Sequence, residues 1–265
     1  MFDFSAPEET LTLDGLTVTG GRTTAYGARG GGIRVNDGDL TLTNSTVSGN
    51  SANDADGGGI FVNATISRRG SLTLINSTTS GNSATGAGGG IRSLGQQFQR
   101  DLTITNSIVA GNTDSGTAPD FQTVGGGLAV GFSLIGDNTG TTLTEAQTAG
   151  GSGNLIGSNA APIDPLLGPL ADNGGPTLTH ALLPGSPAID AGFSSLATDQ
   201  RGVSRGVDLP GVPNVLGGNF SDIGSFELQL PEPLGTLQLV QQSESSQLVL
   251  SGDHELRDEV FGSDF

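Results

Sequence analysis

Short segments in which apolar and hydroxyl residues alternate recur along the first half of the chain. Leu40, Thr41 and Leu42 form one such segment, and equivalent triplets begin at residues 11, 72 and 102. Alternation with a period of two places the apolar side chains on one face, which is typical of a half-buried strand. The segments show no 3.6-residue apolar stripe of the kind that marks a helix. The pattern therefore predicts short β-strands.

The predicted strands belong to longer repeated units. LDGLTVTGG, LTNSTVSGN, LINSTTSGN and ITNSIVAGN align without gaps and start at residues 13, 42, 74 and 104, so their spacings are 29, 32 and 30 residues. A second motif, GGGI or GGGL, starts at residues 30, 57, 88 and 125. Units of about 30 residues with short strands and glycine-rich connections indicate the coils of a β-solenoid. We expect an all-β, right-handed parallel β-helix.

Stacked coils place equivalent residues in vertical files about 4.8 Å apart. The predicted inward files are aliphatic: Leu13, Leu42, Leu74 and Ile104; Val18, Val47, Thr79 and Val109; Ile33, Ile60 and Ile91. Asparagines align in two further files: Asn44, Asn76 and Asn106; Asn50, Asn82 and Asn112. A buried amide without a partner is costly, so we expect the stacked amides to form hydrogen-bonded ladders.

Leucine-rich repeats are the alternative solenoid, because LTLTN resembles their LxLxxN pattern. Their return segments are usually helical. Here the returns are GNSANDADGGG and GNSATGAGGG, which contain too much glycine for a helix. The parallel β-helix is therefore favoured.

The charge composition excludes several classes of partner. The chain has 10 basic residues, all arginine, against 27 acidic ones, and its net charge is −17. We therefore expect no nucleic-acid partner. We also expect no membrane insertion, because no apolar run approaches the ~20 residues that span a bilayer. The first residues do not form a signal peptide. The absence of cysteine excludes disulfides and cysteine-bound metal.

Residues 11–228 resemble the right-handed parallel β-helix of the pectate-lyase-like superfamily, in the form common in bacterial surface proteins. The run DPLLGPLADNGGPTLTHALLPGSPAIDAG, residues 164–192, together with SDIGSFE, residues 221–227, resembles the choice-of-anchor Q module. The resemblance implies an extracellular or surface-attached β-helix and no catalytic set. An insertion at residues 212–220 departs from the pattern, and no recognisable anchor follows.

Three regions follow from this organisation. Residues 1–163 are expected to form the coils, and residues 164–228 a loop-rich terminal module that wraps or caps the solenoid. Residues 229–265 are expected to contain a proline-marked linker, a β-hairpin and an acidic tail. The strand pattern begins by Leu11, and MFDFSAPEET is too short for a capping helix. Upstream sequence or another molecule, such as a neighbouring copy's hairpin, is therefore expected to cover the first coil.

Few residues offer chemistry. Arg34, Phe61 and Arg92 share one outward file, which is either a carbohydrate-contact strip with Phe61 as the stacking platform or a cation–π stack. Asp54 and Asp56 beside Asn53, and Asp37 with Asp39, carry oxygen ligands of the kind calcium takes, without a complete set. We expect His180 to be a hydrogen-bonded packing residue. An ion-pair network is expected among the charged residues of the terminal module: Asp199, Arg201, Arg205, Asp208 and Asp222.

The sequence therefore predicts no catalytic residue, cofactor or metal, with calcium as the alternative. We expect a secreted or cell-surface structural or adhesive protein that self-associates end to end into filaments. The alternative is a carbohydrate-binding or polysaccharide-degrading β-helix protein, a lyase or hydrolase, with a polysaccharide or cell-surface partner.

Overall fold

The computed structural model confirms the all-β fold class. It describes residues 1–6, 9–24, 29–64, 70–95, 101–116, 118–230, 237–242 and 245–250, and within these ranges it contains 23 strands and no helix. The described part of the chain accordingly has no helix of the length and apolar character needed to cross a membrane. The leucine-rich-repeat alternative is disfavoured, because the described return segments are not helical.

The strands are short, mostly two to five residues. They are β1 (Phe2–Ser5), β2 (Thr10–Asp14), β3 (Thr17–Thr19), β4 (Arg22–Thr23), β5 (Ile33–Asn36), β6 (Asp39–Thr43), β7 (Thr46–Ser48), β8 (Ser51–Ala52), β9 (Ile60–Ala64), β10 (Ser71–Ile75), β11 (Thr78–Ser80), β12 (Ser83–Ala84), β13 (Ile91–Gly95), β14 (Asp101–Thr105), β15 (Ile108–Val109), β16 (Phe121–Val124), β17 (Gly127–Gly131), β18 (Leu134–Ile135), β19 (Leu155–Ile156), β20 (Leu167–Ala171), β21 (Thr179–Leu182), β22 (Leu237–Gln242) and β23 (Ser245–Leu250).

Parallel sheets form the walls of a β-solenoid of about four turns. The first sheet has the order β1-β5-β9-β13-β16, the second β2-β6-β10-β14-β17 and the third β3-β7-β11-β15-β18-β19. A short sheet, β4-β8-β12, lies at a fourth position. Each coil thus contributes one strand to each wall, as the repeat length predicts.

The three predicted aliphatic files are confirmed by the strand register. Leu42 pairs with Leu13 below and Leu74 above, and Ile60 pairs with Ile33 and Ile91. In the third sheet Val47 is opposite Val18 and Thr79. The residues of these three files are 0–1 % exposed, apart from Leu13 and Val18 of the first coil. The buried aliphatic members lie in one core cluster, and Thr79 occupies the same file as Val47 and Val109. The core is therefore a continuous column inside the coils.

The recurring GGG motif has a steric cause. Its first glycine has a left-handed backbone, with φ of +72° at Gly57 and +73° at Gly88. A Cβ on the second glycine, Gly58, would overlap the carbonyl oxygens of Gly89 and Ser83 in the next coil. Side chains are therefore excluded where consecutive coils approach most closely.

The terminal module, residues 164–228, lies along the outer face of the third sheet. It contains one antiparallel pair, β20 with β21, and otherwise consists of turns. A second apolar cluster joins outward-facing residues of the third sheet to the module. Its largest members are Ile108, Leu134, Leu182, Ile189, Ile223 and Phe226. The module thus wraps the side of the stack.

The chain divides into two compact units, Met1–Gln229 and Leu230–Phe265. Within the second unit, β22 and β23 pair antiparallel, with Leu239 opposite Leu248. The predicted linker prolines, Pro231 and Pro233, and the acidic tail from residue 253 lie outside the described residues.

One core position departs from the aliphatic files and yields a stability prediction. Thr79 replaces the valine of its file, is 0 % exposed, and its hydroxyl has no hydrogen-bond partner among the described residues. Thr79→Val should raise the free energy of unfolding by about 1 kcal/mol, because it removes a buried, unsatisfied hydroxyl. Urea denaturation followed by circular dichroism measures the change.

The neighbouring residue provides the matched control. Thr78 Oγ1 accepts from the Ser225 backbone N–H at 3.1 Å and lies 3.0 Å from the Ser225 hydroxyl. Thr78→Val should therefore destabilise the protein by about 1–3 kcal/mol. Equal effects of the two substitutions would contradict this account of the file.

Candidate functional site

A ladder of amides runs through the core at the corner after the third sheet. Asn50 Nδ2 donates to Asn82 Oδ1, and Asn82 Nδ2 donates to Asn112 Oδ1, each at 2.9 Å. The same oxygens accept the backbone N–H of the preceding asparagine at 3.1 Å. The three side chains are 1–5 % exposed. Each side-chain amide therefore forms hydrogen bonds with groups of its own coil and of the neighbouring coil.

The ladder has one direction and two different ends. At the first coil the Gly21 N–H donates to Asn50 Oδ1 at 2.9 Å. At the other end Asn112 Nδ2 donates to Asp120 Oδ1 at 3.0 Å, and the second oxygen of Asp120 accepts from the Asp137 N–H. A carboxylate only accepts, so Asp120 terminates the series of donors. Burial raises the pKa of Asp120 to about 6.

A parallel ladder of serines was not identified from the sequence. The backbone N–H of Ser45 donates to Ser77 Oγ, that of Ser77 to Ser107 Oγ, and that of Ser107 to Ser133 Oγ, at 3.0–3.2 Å. These serines are 0–2 % exposed. The available signal was the Asn-Ser pair repeated in the first three of these coils.

The file of Asn44, Asn76 and Asn106 behaves differently from the expected ladder. All three adopt positive φ, between 43° and 48°, at the corner between the second and third sheets. Asn106 Nδ2 donates to Asn76 Oδ1 at 3.1 Å, which is one rung of the expected ladder. The remaining amide contacts reach the terminal module: Asn76 donates to Ser194 Oγ, Asn106 to the Asp222 carbonyl, and Asn44 accepts from Arg205 at 3.4 Å.

Further hydrogen bonds join the terminal module to the first and second coils. Gln200 Nε2 donates to Thr17 Oγ1 at 2.8 Å, and its Oε1 accepts from Thr46 Oγ1 at 2.6 Å. Thr177 donates to the Gly15 carbonyl at 2.9 Å. The terminal module therefore touches four consecutive coils, from Gly15 to Asn106.

Buried charges hold the module together. Arg201 pairs with Asp199 at 2.7 Å and lies 3.6 Å from the centre of the Phe226 ring. Arg205 pairs with Glu227 at 3.3 Å. The predicted ion-pair network is confirmed for Asp199, Arg201 and Arg205. Glu227 is an additional member, and Asp208 is exposed.

Asp222 is the most perturbed acid of this cluster. Its two oxygens accept from the backbone N–H groups of Asp190 at 2.8 Å and Leu228 at 2.6 Å. Burial, with the charge of Glu227 adding to it, raises the pKa of Asp222 to about 8. Burial also raises the pKa of Glu227. The network therefore favours a protonated Asp222 carboxyl near neutral pH.

His180 is a packing histidine, as predicted. Its Nδ1 lies 2.7 Å from the Gly168 carbonyl oxygen, and its Nε2 lies 2.8 Å from Ser48 Oγ. Because a carbonyl only accepts, Nδ1 carries the hydrogen and Nε2 accepts from the serine. Burial lowers the pKa of His180. The ring thus connects β20 to the second coil.

The strip of Arg34, Phe61 and Arg92 is aligned in adjacent strands, as expected. However, Phe61 is only 1 % exposed. The guanidinium of Arg29, rather than that of a strip member, lies 5.0 Å from its ring centre. Phe61 therefore offers no open ring face on which a sugar could stack.

The aspartates considered for calcium do not converge. Asp56 lies 3.8 Å from Arg92 and 3.9 Å from Arg29, and it accepts from the Ala87 N–H at 2.9 Å. Asp54 is exposed. Within the described ranges, no three acidic or histidine side chains could hold a metal ion together.

The two ends of the coil stack expose strand edges. At the first coil β1 and β2 are edge strands. Leu11 and Leu13 of β2 are half-buried, whereas Leu40 and Leu42 one coil further are 0–1 % exposed. At the last coil β16 and β17 are edge strands, and Leu128 and Val130 of β17 are half-buried.

Residues 138–154 cover part of the last coil. The Gly140 carbonyl accepts from Thr123 of β16 at 3.4 Å, and Ala146 forms an antiparallel bridge with Ile156 of β19. Strand β17 lies between these two places and, among the described strands, pairs only with β14.

The terminal module also forms an open groove of about 570 Å³. Residues 185–191 and 211–216 line most of it, and Leu216 at its rim is 80 % exposed. The predicted insertion at residues 212–220 supplies one wall.

Comparisons of the chain with protein-family models, curated proteins and solved structures found no match. The parallel β-solenoid is thus established by the geometry of the strands.

The amide ladder yields a second stability prediction. Asn82→Ala leaves the Asn50 N–H, the Asn50 amide and the Val47 carbonyl without their partner, so we expect a loss of about 3 kcal/mol or more. Urea denaturation measures it. Asn214→Ala, at an exposed amide, is the control and should change stability by less than about 0.5 kcal/mol. Equally mild effects would refute the ladder's role.

The raised carboxyl pKa values predict a pH dependence. Asp120 and Asp222 bind protons more tightly in the folded chain, with pKa about 6 and about 8, than in the unfolded chain, where it is about 4. The free energy of unfolding should therefore decrease as pH rises from about 4 to about 8. Urea midpoints across this range measure the trend. Asp222→Asn should flatten it, and an unchanged slope in that variant would exclude Asp222 as its source.

Proposed function

We propose that this protein is a non-enzymatic structural or adhesive β-solenoid that acts outside the cell or at its surface and associates end to end. The observation that carries the proposal is the strand edge at the first coil, which has no partner among the described strands. Within the described residues, β1 and β2 have no strand partner on their outer side, and β2 carries the half-buried Leu11 and Leu13. At the last coil β17, with the half-buried Leu128 and Val130, pairs only with β14 among the described strands. Such edges are templates for pairing with another chain.

The contacts between the terminal module and the side of the coil stack support a role as a scaffold. The terminal module fixes four consecutive coils by hydrogen bonds and a shared apolar cluster. Solenoids are otherwise held only by contacts between neighbouring coils. A stack fastened along its side is suited to serve as a rigid, extended element.

The resemblance to the choice-of-anchor Q module supports a surface location within the same proposal. Residues of the resembling segments dock the module and organise its interior. His180 binds Ser48 of the coils, whereas the Gly192 carbonyl accepts from Asn219, and Asp190 and Asp222 lie in the buried network within the module. We include the pectate-lyase-like, right-handed β-helix in the proposal on the same ground.

Association of the protein in solution tests the proposal. Concentration-dependent light scattering and negative-stain micrographs should show linear oligomers. Leu11→Glu places a charge on the open edge β2 and should reduce association strongly. Isolated short particles at high concentration would overturn the proposal.

Leu216→Glu is the matched control. It makes the same change of charge at a leucine that is 80 % exposed and belongs to the terminal module rather than to β2. Association should persist in this variant. If Leu216→Glu abolished association and Leu11→Glu did not, the groove rather than the coil end would be the contact surface.

A further inference from the structure

The geometry assigns a partner and a symmetry to the end-to-end contact, an inference that rests on the proposed function. We propose that the first coils of two copies meet head to head, with β2 of one copy antiparallel to β2 of the other. The pairing is centred on Thr12, so Leu11 of each copy lies opposite Leu13 of the partner subunit. The partner is a second copy of this chain, and the contact closes at a dimer.

The last coil is already covered by the chain itself. Strand β19 lies on β18, and Thr123 of β16 donates to the Gly140 carbonyl at 3.4 Å. Leu143 and Ala146 also pack against the core cluster. Another molecule could not add a full coil there without displacing these residues. The first coil differs, because β1, β2 and β3 end their sheets with no strand beyond them among the described residues. Association through the coil ends is therefore confined to the first coil.

The backbone of β2 presents unpaired groups at its open edge. At the two ends of its pairing with β6, the Glu9 carbonyl accepts from the Asp39 N–H at 2.9 Å, and the Gly15 N–H donates to the Thr43 carbonyl at 3.1 Å. Backbone groups of successive residues in a strand point to opposite sides, so the odd-numbered residues of the first coil face β6. The even-numbered residues of β2 therefore direct their N–H and C=O groups to the open edge.

An antiparallel pairing centred on Thr12 uses all of these groups. It places Thr12 opposite Thr12 of the partner subunit, and Thr10 opposite Asp14 of the partner subunit. Each of these pairs exchanges both of its backbone hydrogen bonds. Leu11 and Leu13 then form the non-hydrogen-bonded pairs, in which side chains approach most closely.

The same register completes the burial of the second sheet. Leu11 and Leu13 are half-buried, whereas their equivalents in β6 are 0–1 % exposed. A shift of the pairing by two residues would place Leu13 opposite Glu9 in one direction and Leu11 opposite Gly15 in the other. Only the centred register matches every leucine with a leucine, so it buries the most apolar surface.

A two-fold axis through the paired Thr12 residues also brings the neighbouring walls together. Strand β1 precedes β2 and β3 follows it, so the axis places β1 of each copy on β3 of the partner. The inward positions of these strands are apolar: Phe2 is 40 % exposed, and Phe4 and Val18 are half-buried. Because the axis exchanges identical surfaces, the contact is closed and stops at two molecules.

Antiparallel pairing keeps the acidic residues of the first coil apart. Asp14 lies opposite Thr10 of the partner subunit, and Glu9 lies opposite Gly15 of the partner subunit. Asp3 of β1 meets β3, which contains only uncharged residues. Like charges directly opposite each other in a sheet are destabilising, and the chain has a net charge of −17. The register that pairs the leucines is therefore also one that separates the acids.

Cysteine cross-linking tests the axis, and the chain contains no native cysteine to interfere. Thr12 is exposed and lies on the proposed axis. The two Cα atoms of this pair would be about 5.5 Å apart, which a disulfide tolerates. Under mild oxidation Thr12→Cys should form a covalent dimer, without larger species, that a reductant separates.

A mixture of two variants tests the register. Thr10 and Asp14 lie opposite each other across the interface, whereas each is four residues, or about 13 Å, along the strand from its own counterpart in the partner. Thr10→Cys and Asp14→Cys should therefore give no covalent dimer alone and a mixed dimer when they are combined before oxidation. Circular dichroism verifies that each variant is folded.

Ala129→Cys is the matched control, at an exposed position of the edge strand β17. Efficient cross-linking of this variant would overturn the inference, and so would equal dimer yields from Asp14→Cys alone and Thr12→Cys. Light-scattering association without cross-linking of Thr12→Cys, or association beyond a dimer, overturns the head-to-head contact but leaves the proposed function standing. Absence of association in the unmodified protein removes the proposed function itself.

Discussion

Every coil of this protein must reproduce the height and the hydrogen-bonding pattern of the coil beneath it. A strand that slipped by one residue would turn its leucines outward and would leave the buried amides of Asn50, Asn82 and Asn112 without partners. The amides fix one corner of the coil and the serines from Ser45 to Ser133 fix another. Apolar files supply the burial between them, and the polar ladders set the register in which burial is possible.

The terminal module binds polar side chains that the stacked coils present at equivalent positions. Because equivalent residues project from the third sheet at regular heights, a single loop-rich segment can bind Thr17, Thr46 and Thr78 from successive coils. Its interior is organised by charge: Arg201 and Arg205 are surrounded by Asp199, Asp222 and Glu227. Burial raises the pKa of Asp222 and of Glu227 there, and in Asp222 the charge of Glu227 adds to the effect. Most hydrogen bonds between the module and the coils join neutral polar groups, whereas the contact of Arg205 with Asn44 involves a charge.

The sequence allowed the coils to be predicted because their contacts recur with the repeat. Leu42 above Leu13 and Asn82 above Asn50 can be read from a spacing of about 30 residues. Contacts of the terminal module have no such period. Gln200 meets Thr17 across a separation of 183 residues, and nothing in either neighbourhood indicates the pairing. Phe61 lies in the predicted file beside Arg34 and Arg92, yet it is 1 % exposed, and the Arg29 guanidinium lies 5.0 Å from its ring centre, a contact that the strand pattern does not indicate. The repeated Asn-Ser pair is the sequence signal of the serine ladder, but it does not stand out because serine is common in this chain.

The reach of the terminal module has a consequence for how such a chain can change length. Each asparagine of the core both gives and receives a hydrogen bond, so duplicating a middle repeat would leave the ladder chemically intact. The same event would move Gly15 and Asn106 apart by one more layer, while the segment from Thr177 to Asp222 that grips them both would keep its span. The fixed span of the module therefore limits the number of coils between Gly15 and Asn106, although stacking alone would set no limit.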